Sequence, residues 1–459
     1  MTLRFSAPRG LGGVMTPPPD KSITHRALLL AAAAGGVSRI ANPLATGDCL
    51  STRACLRALG VQVEEDPRGR RPAGRPARRP ASPGFTPASP GFIPAPAWLV
   101  TGRGLRGLAE PSEVLDAQNS GTTIRLLCGL LAGQRMHAVL SGDASLRARP
   151  MLRVVEPLRC MGARIEGRDG GRLAPLALLP GSGTLKALRY DLPVPSAQVK
   201  SALLLAALRA DGESSLGGAL DSRDHTERLL GFLGLSLGRT DGRLRIAPPS
   251  ALPAFELEVP GDPSSAAFFL AAALVSGREL EVTGCGLNPT RLGFVRVLAR
   301  MGARVEELVE AQRGGEPVGR LHLHPGVLQG VTVQAEEVPA LIDEIPLIAV
   351  LGAFARGRTL VRGAGELKHK ESDRLQAIGR LLQAVGGSVE LAEDGFAVEG
   401  PQALAGGTVD SASDHRIAMA AAVLAAGIPG GVEVRGFEAA TVSFPDFLAT
   451  FRALGGMAE

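Results

Sequence analysis

The feature that most constrains this chain is a recurring join in which an apolar helical end meets a glycine and then an alternating strand. Leu56-Arg-Ala-Leu-Gly60-Val-Gln-Val-Glu64 and Leu298-Ala-Arg-Met-Gly302-Ala-Arg-Val-Glu306 are two examples. A glycine at that point closes the last helical turn by adopting the left-handed backbone. Related joins place it at Gly60, Gly162, Gly234, Gly302, Gly386 and Gly455, at intervals of 102, 72, 68, 84 and 69 residues. Setting aside the 31 residues of 67–97 brings the first interval from 102 to 71. The chain therefore reads as one supersecondary unit used six times, with an insertion in the first.

The insertion also explains the charge. Lys plus Arg is 50 against 45 for Asp plus Glu, a balance of +5 that suggests an anionic partner. Residues 67–97 hold six of those arginines and no acid, which leaves 44 basic against 45 acidic groups elsewhere. The segment carries a tandem repeat, Ala81-Ser-Pro-Gly-Phe-Thr-Pro87 and Ala88-Ser-Pro-Gly-Phe-Ile-Pro94, whose Pro and Gly exclude a helix or a central strand. It reads as a mobile surface expansion. A nucleic-acid or acidic-partner arm is the weaker reading, because no structured basic face or aromatic row accompanies it.

Each unit also holds an alanine-rich helix that starts on a polar residue, near Asp20, Asn119, Ser196, Asp262, Asp343 and Ser413. Such residues cap helices, and capping alone is the plain reading. The first turns contain more than capping needs: Lys21, Ser22 and Arg26; Asn119, Thr122 and Arg125; Ser196, Gln198 and Lys200; Asp343 and Glu344; Asp414, His415 and Arg416. Unpaired amides and the positive helix end attract anions, and added Arg and Lys strengthen that attraction. Several such starts facing one cleft would bind a polyanion. The pattern predicts an α/β fold of βαβαββ-like units, three per domain, with the Pro-rich stretch 248–253 as the internal boundary.

Other chemistries are disfavoured. Among the 50 basic residues only Lys21, Lys186, Lys200, Lys368 and Lys370 are lysines, so a retained lysine can mark work that arginine cannot do. There is no G-x-x-x-x-G-K-[ST], no G-x-G-x-x-G after a strand and no G-x-S-x-G elbow. The five cysteines are scattered and form no C-x-x-C, which argues against a disulfide framework or zinc site and for a reducing compartment. His322 and His324 alternate on one strand face and could ligate a metal, but with no third ligand apparent they read as solvated strand residues. With no secretion-signal pattern at the start and no apolar run long enough to span a bilayer, a cytoplasmic protein is expected.

Seven runs together resemble the 5-enolpyruvylshikimate-3-phosphate synthases, the 3-phosphoshikimate 1-carboxyvinyltransferases of the enolpyruvyl transferase family. They are Pro19-Asp-Lys-Ser-Ile-Thr-His-Arg26, Asn119-Ser-Gly-Thr-Thr-Ile-Arg125, Arg147-Ala-Arg-Pro150, Pro195-Ser-Ala-Gln-Val-Lys200, Ser222-Arg-Asp-His-Thr-Glu227, Lys370-Glu-Ser-Asp-Arg374 and Asp414-His-Arg416. The resemblance implies a two-domain enolpyruvyl transferase fold with the active site in the interdomain cleft. One domain would take 1–17 with 253–459, and the other 18–252. It implies transfer of the enolpyruvyl group of phosphoenolpyruvate to the 5-hydroxyl of shikimate 3-phosphate, on the route to chorismate and aromatic amino acids. No metal or organic cofactor, nucleic acid or membrane is implied, and the family leans monomeric.

Carried over residue by residue, Lys21, Asn119, Gly121, Arg149, Gln198, Arg374 and Arg416 would hold phosphoenolpyruvate. Lys21, Ser22, Arg26, Ser196, Gln198, Arg223, Asp343 and Lys370 would hold shikimate 3-phosphate. Asp343 would be the base on the attacking hydroxyl and Glu371 the proton donor to the methylene carbon, with Lys21 close to both. The chain departs from the family at Val442-Ser-Phe-Pro445, where a lysine is common, at Leu126, where some members have proline, and at Ala197, where others have serine. The rivals are a UDP-N-acetylglucosamine enolpyruvyl transferase, which commonly places a reactive cysteine shortly before an Arg-Pro pair, and a noncatalytic polyanion binder using the Arg-rich segment. Here Ser141-Gly-Asp-Ala144 precedes Arg149-Pro150, and the closest cysteines are Cys128 and Cys160.

Overall fold

The structure is a computed structural model that describes residues 1–66 and 97–459. The Arg/Pro segment, expected to be a mobile insertion, lies outside the described residues from 67 to 96. Ala97, placed within that insertion by sequence, instead opens the strand Ala97–Arg103.

The six-fold repeat is realised as six four-stranded sheets among the described residues. All share one pattern, in which the first two strands are parallel and the third and fourth each run antiparallel to the strand before. In one sheet Leu115–Asp116 lies parallel to Ala138–Ser141, Leu173–Leu179 pairs antiparallel with that strand, and Arg164–Arg168 closes the edge. The glycines at the joins all have positive φ, from 79° at Gly386 to 106° at Gly455. Any other residue would be strained there, and the glycine lets the chain turn from a buried helix into its edge strand.

Helices line the inside of each half. Every residue of Lys21–Ala33 from Ile23 onward is buried, as is every residue of His415–Ala425. Helices enclosed on all sides must be apolar all round, which is why alanine and leucine dominate them. Small residues also allow close approach: a Cβ on Gly129 would lie 2.2 Å from the carbonyl oxygen of Ala202, so Gly121–Leu131 and Ala197–Ala207 meet backbone to backbone. Two separate cores result. One runs from Ile23 to Val259, and the other joins Phe5, Leu11 and Met15 to residues between Ala266 and Ala458.

The chain passes between the two cores twice. Glu256–Glu258 is the first strand of the sheet containing Gly35–Ala41, while Gly13–Met15 is the first strand of the sheet containing Leu280–Gly286. The two crossings are hydrogen-bonded to each other, Asp20 N to Pro260 O and Asp262 N to Pro18 O, both at 2.8 Å. Each crossing leads directly into a helix start, so the starts of Lys21–Ala33 and Pro263–Val275 are fixed side by side.

Three helix starts differ from expectation, one of them at Asp343, where Glu344 precedes Ile345–Phe354 and no side chain caps it. Ser120, not Asn119, caps Gly121–Leu131 by accepting from Thr123 N, and Asp414, not Ser413, caps His415–Ala425. The displaced residues have other engagements, since Ser413 has a positive φ of 57°, Asn119 uses its amide on other side chains and Asp343 pairs with Arg223.

Asp66 and Ala97, which flank the undescribed segment, are direct cross-strand partners in the pair Gln62–Asp66 and Ala97–Arg103. Partners in that relation can be joined by a two-residue turn. Replacing 67–96 by Asn-Gly is therefore expected to leave the thermal midpoint within a few degrees and turnover within about twofold. A chain whose thermal midpoint or turnover falls beyond these limits would assign the segment a working role.

Candidate active site

The helix starts do face one cleft. It is lined by Lys21, Ser22 and Arg26 from the first long helix, Gly121, Thr122 and Arg125 from the third, and Ser196, Ala197 and Gln198 from the sixth. Asp262, Asp343, His415 and Arg416 come from helix starts of the other half, with Lys370, Glu371 and Arg374 at the start of Arg374–Gln383. Arg149, Arg153, Arg223 and Arg291 complete a strongly cationic wall. Its arginines are largely withdrawn from water: Arg374 is 1% exposed and Arg416 4%. Packing against the start of a helix, as Arg416 does at its own first turn, adds the helix amides to the positive field.

Asp48, Asp262, Asp343, Glu366 and Glu371 stand among these cations, and Arg374 joins two of them. Asp343 Oδ2 accepts from Arg223 Nη2 at 2.7 Å, and its oxygens lie 3.4 Å from Arg374, 3.9 Å from Arg416 and 4.0 Å from Lys370. Glu371 Oε2 accepts from Arg374 Nη2 at 2.6 Å, with Arg149 4.0 Å from the other oxygen. Arg374 thus joins both carboxylates and is itself anchored from behind by Asp414, 2.8 Å from its Nε. Burial works against ionisation of both acids, but the surrounding cations win. Arg223 and Arg416 chiefly hold Asp343 well below the usual carboxylate range, and Arg374, with Arg149 and Lys21, does the same for Glu371.

Lys21 Nζ pairs with Asp48 Oδ2 at 2.9 Å. Burial opposes its charge, yet Asp48 and Glu371 raise its pKa above the ordinary lysine value, so it is a fixed cation in the free site. His415 is the reverse case. Burial, with Lys21 and Arg416 nearby, pushes it down to about 3, so it lines the cleft as a neutral ring. Glu344, adjacent in sequence to Asp343, is 2% exposed and raised by burial, and both its oxygens lack a hydrogen bond among the described residues.

The predicted residues Lys21, Ser22, Arg26, Gly121, Arg149, Ser196, Gln198, Arg223, Asp343, Lys370, Glu371, Arg374 and Arg416 all border this cleft. Asn119 stands one layer back, where its Oδ1 accepts from Arg149 Nη2 and its Nδ2 donates to Asp143 Oδ2 at 2.6 Å. Gln198 bridges Arg125 at 2.7 Å and Thr122 at 3.0 Å. Lys200, singled out by its motif, is 1% exposed and supports the loop instead, bonded to Glu227 at 2.7 Å and to the carbonyls of Leu220 and Ser222. Val442, where family members commonly have lysine, does not border the cleft, and its carbonyl accepts from Thr46 Oγ1 at 2.7 Å.

Sequence reasoning missed Asp48, Arg153, Arg291 and Glu366. Asp48 looks like an ordinary acidic residue in the first turn of Gly47–Ala58, and Glu366 neutralises Arg153 at 3.0 Å from another unit. Only Arg291 had a signal, the polar run Asn288-Pro-Thr-Arg291 between a strand and a helix.

The sequence profile of EPSP synthase (3-phosphoshikimate 1-carboxyvinyltransferase) matches residues 6–78 and 96–451, leaving a gap inside the Arg/Pro segment. The 3-phosphoshikimate 1-carboxyvinyltransferase of Chloroflexus aggregans is 46% identical over 98% of both chains, and that of Thermus thermophilus 48% identical over 96% of both. Among solved structures, EPSP synthase from Acinetobacter baumannii superimposes with a TM-score of 0.81 at 34% identity over 100% of both chains. The enolpyruvyl transferase NikO from Streptomyces tendae, at 18% identity and a TM-score of 0.74 over 100% of this chain and 98% of its own, shares the fold. A profile matched across both halves, with relatives nearly half identical from end to end, places the chain in the EPSP synthase family.

Proposed function

We propose that the chain transfers the enolpyruvyl group of phosphoenolpyruvate to the 5-hydroxyl of shikimate 3-phosphate and releases inorganic phosphate. The observation that carries this reading is the pair Asp343 and Glu371, two carboxylates joined by Arg374 in a cleft rich in arginine and lysine. Addition of an alcohol across an enol phosphate needs a base on the hydroxyl and an acid on the methylene carbon at once. The hydroxyl oxygen bonds to C2 as C3 takes a proton. Loss of that C3 proton with departure of phosphate then restores the double bond.

Phosphoenolpyruvate is held by Lys21, Gly121, Arg149, Gln198, Arg374 and Arg416, with Asn119 acting through Arg149. Shikimate 3-phosphate is held by Lys21, Ser22, Arg26, Ser196, Gln198, Arg223, Asp343 and Lys370. Asp343 takes the hydroxyl proton and Glu371 delivers the methylene proton, with Lys21 near both. In the free site both acids are ionised, so Glu371 must gain its proton on binding. Substrate carboxylate and phosphate groups neutralise Arg149 and Arg374, the cations that hold Glu371 down, and its affinity for a proton rises. The two lobes close on the substrates, and the first runs past the boundary at 252 expected from the sequence, since Leu257 and Val259 belong to its core. The chain works as a cytoplasmic monomer, with no cofactor in the reaction and no nucleic-acid or membrane partner.

The deciding assay is phosphate release from phosphoenolpyruvate with shikimate 3-phosphate, repeated with UDP-N-acetylglucosamine. Activity with only the second acceptor would overturn the reading. Gly121 offers a sharper check on the donor site. A Cβ there would lie 2.8 Å from Arg125 Nη1 and 3.4 Å from Arg149 Nη1, at the terminal nitrogens of two long side chains. Gly121→Ala is therefore expected to fold normally, to raise KM for phosphoenolpyruvate by about tenfold and to weaken inhibition by glyphosate, which occupies this site in the family. An unchanged KM in initial-rate kinetics would move the donor away from Gly121.

A further inference from the structure

On the second half of the chain, away from the cleft, the central strand Glu316–His324 turns His322 and His324 to the solvent face of its sheet. Their rings lie 4.2 Å apart, centroid to centroid. The sequence showed no third ligand, and the fold supplies one from the end of a helix–strand join. Glu279 Oε1 lies 2.9 Å from His324 Nδ1, and Glu279 Oε2 lies 3.9 Å from His322 Nε2. A donor atom from each of the three residues falls within 4.8 Å of the others. His324 turns its second nitrogen toward Glu306, 3.6 Å away on the neighbouring strand Arg304–Arg313.

We propose that Glu279, His322 and His324 form a binding site for a single zinc-class divalent cation, with Glu306 beside it. Two imidazole nitrogens and a carboxylate oxygen are the donors that zinc and its neighbours prefer, whereas magnesium and calcium demand oxygen alone. Arg9 and Arg278 border the adjoining groove, and neither is an ion partner of Glu279. Arg320 is paired with Glu281 and Glu310, and Arg304 with Glu306, while the ion partners of Glu279 among the described residues are the two histidines. The strand holds the histidines on one face without a loop to order, so the site is largely preformed. An open groove past Gly10, Gly13, Glu279 and His322 gives the ion and its water access. None of these residues borders the catalytic cleft, so the ion would tie the central strand to both neighbours and take no part in turnover.

The test is calorimetric titration of zinc chloride into the full chain after chelator treatment. One ion per chain in the micromolar range or tighter is expected, together with a raised thermal midpoint. His322→Gln and His324→Gln should each weaken binding by at least about tenfold, and the double variant should abolish it. His137→Gln, at an exposed histidine elsewhere, is the control that should leave the titration unchanged. All variants should match the metal-free parent in thermal midpoint and turnover, which separates ligand loss from misfolding. Absence of binding tighter than about 100 μM, or binding that survives the double substitution, would overturn the proposal.

Discussion

Asp343→Asn is expected to lower kcat by about 10²- to 10⁴-fold, the range for removal of a positioned general base, while the chain stays folded. The same substitution should tighten binding of simple anions. Asp343 now neutralises part of the charge of Arg223, Arg374, Arg416 and Lys370, which lie 2.7 to 4.0 Å from its oxygens. An amide of equal size keeps the shape and releases those cations for inorganic phosphate or sulfate. A residue that only anchored shikimate 3-phosphate would show the opposite pattern, with raised KM and little change in kcat. Single-turnover phosphate release and phosphate titration on the same preparation distinguish the two. A variant with parental kcat would remove Asp343 from the chemistry.

The pH dependence follows from the same contacts. Asp343 is depressed in the folded chain, so its contribution to stability is complete above its ordinary value of 3.8 and is lost as pH falls toward its folded value. In catalysis a carboxylate so acidic is a weak base. In the proposed role of Asp343 as base, bound anions that neutralise Arg223, Arg416 and Lys370 would raise its affinity for a proton. Glu371 obeys the same logic through Arg374 and Arg149.

Much of this was readable in the sequence because each signal was local. The six glycines announce positive φ, and a helix start rich in Lys and Arg exceeds what a cap requires. Contacts made only by folding were not readable. Lys21 meets Asp48 across 27 residues, and Asp48 looks like any acidic first-turn residue. Glu279 reaches His324 across 45 residues through strand register that no periodicity reveals. Asn119 and Ser120 are equally good caps on paper, and the choice fell to Ser120 once Arg149 had claimed the neighbouring amide. Asp343 and Glu344 are indistinguishable as a sequence pair, but the helix start turns one into the cationic cleft and the other against buried side chains.

Arg291→Met is expected to be among the most destabilising single changes in the chain, costing about 3–5 kcal/mol. Arg291 is 2% exposed at its side chain and joins residues 271 and 29 positions away. One nitrogen donates to Asp20 Oδ2 and the other to Asp262 Oδ1, each at 2.7 Å, with Ser264 Oγ at 2.8 Å and His225 Nε2 at 3.1 Å. Asp20 caps Lys21–Ala33 and Asp262 caps Pro263–Val275, so one guanidinium holds together helix starts that belong to different cores. The first of those helices carries Lys21, Ser22 and Arg26 into the cleft. Without the arginine, two buried carboxylates face each other unpaired, and kcat/KM should fall along with stability. The sign of the pH dependence identifies the cause. Burial alone would raise the pKa of Asp20, but Arg291 and His225 bring it from 3.8 to about 2, so in the parent its stabilisation is present above 3.8 and is lost as pH falls toward about 2. In the variant burial acts without its main opponent, and the folded pKa rises above 3.8. Stability should then fall as pH increases from about 4 to 8, a slope this group does not give the parent. Denaturant midpoints at those two pH values measure it, and Arg291→Lys, which keeps a charge but not the fork, should recover only part of the loss. A variant within about 1 kcal/mol of the parent at both pH values would show that the lobes are held together by the paired crossings alone.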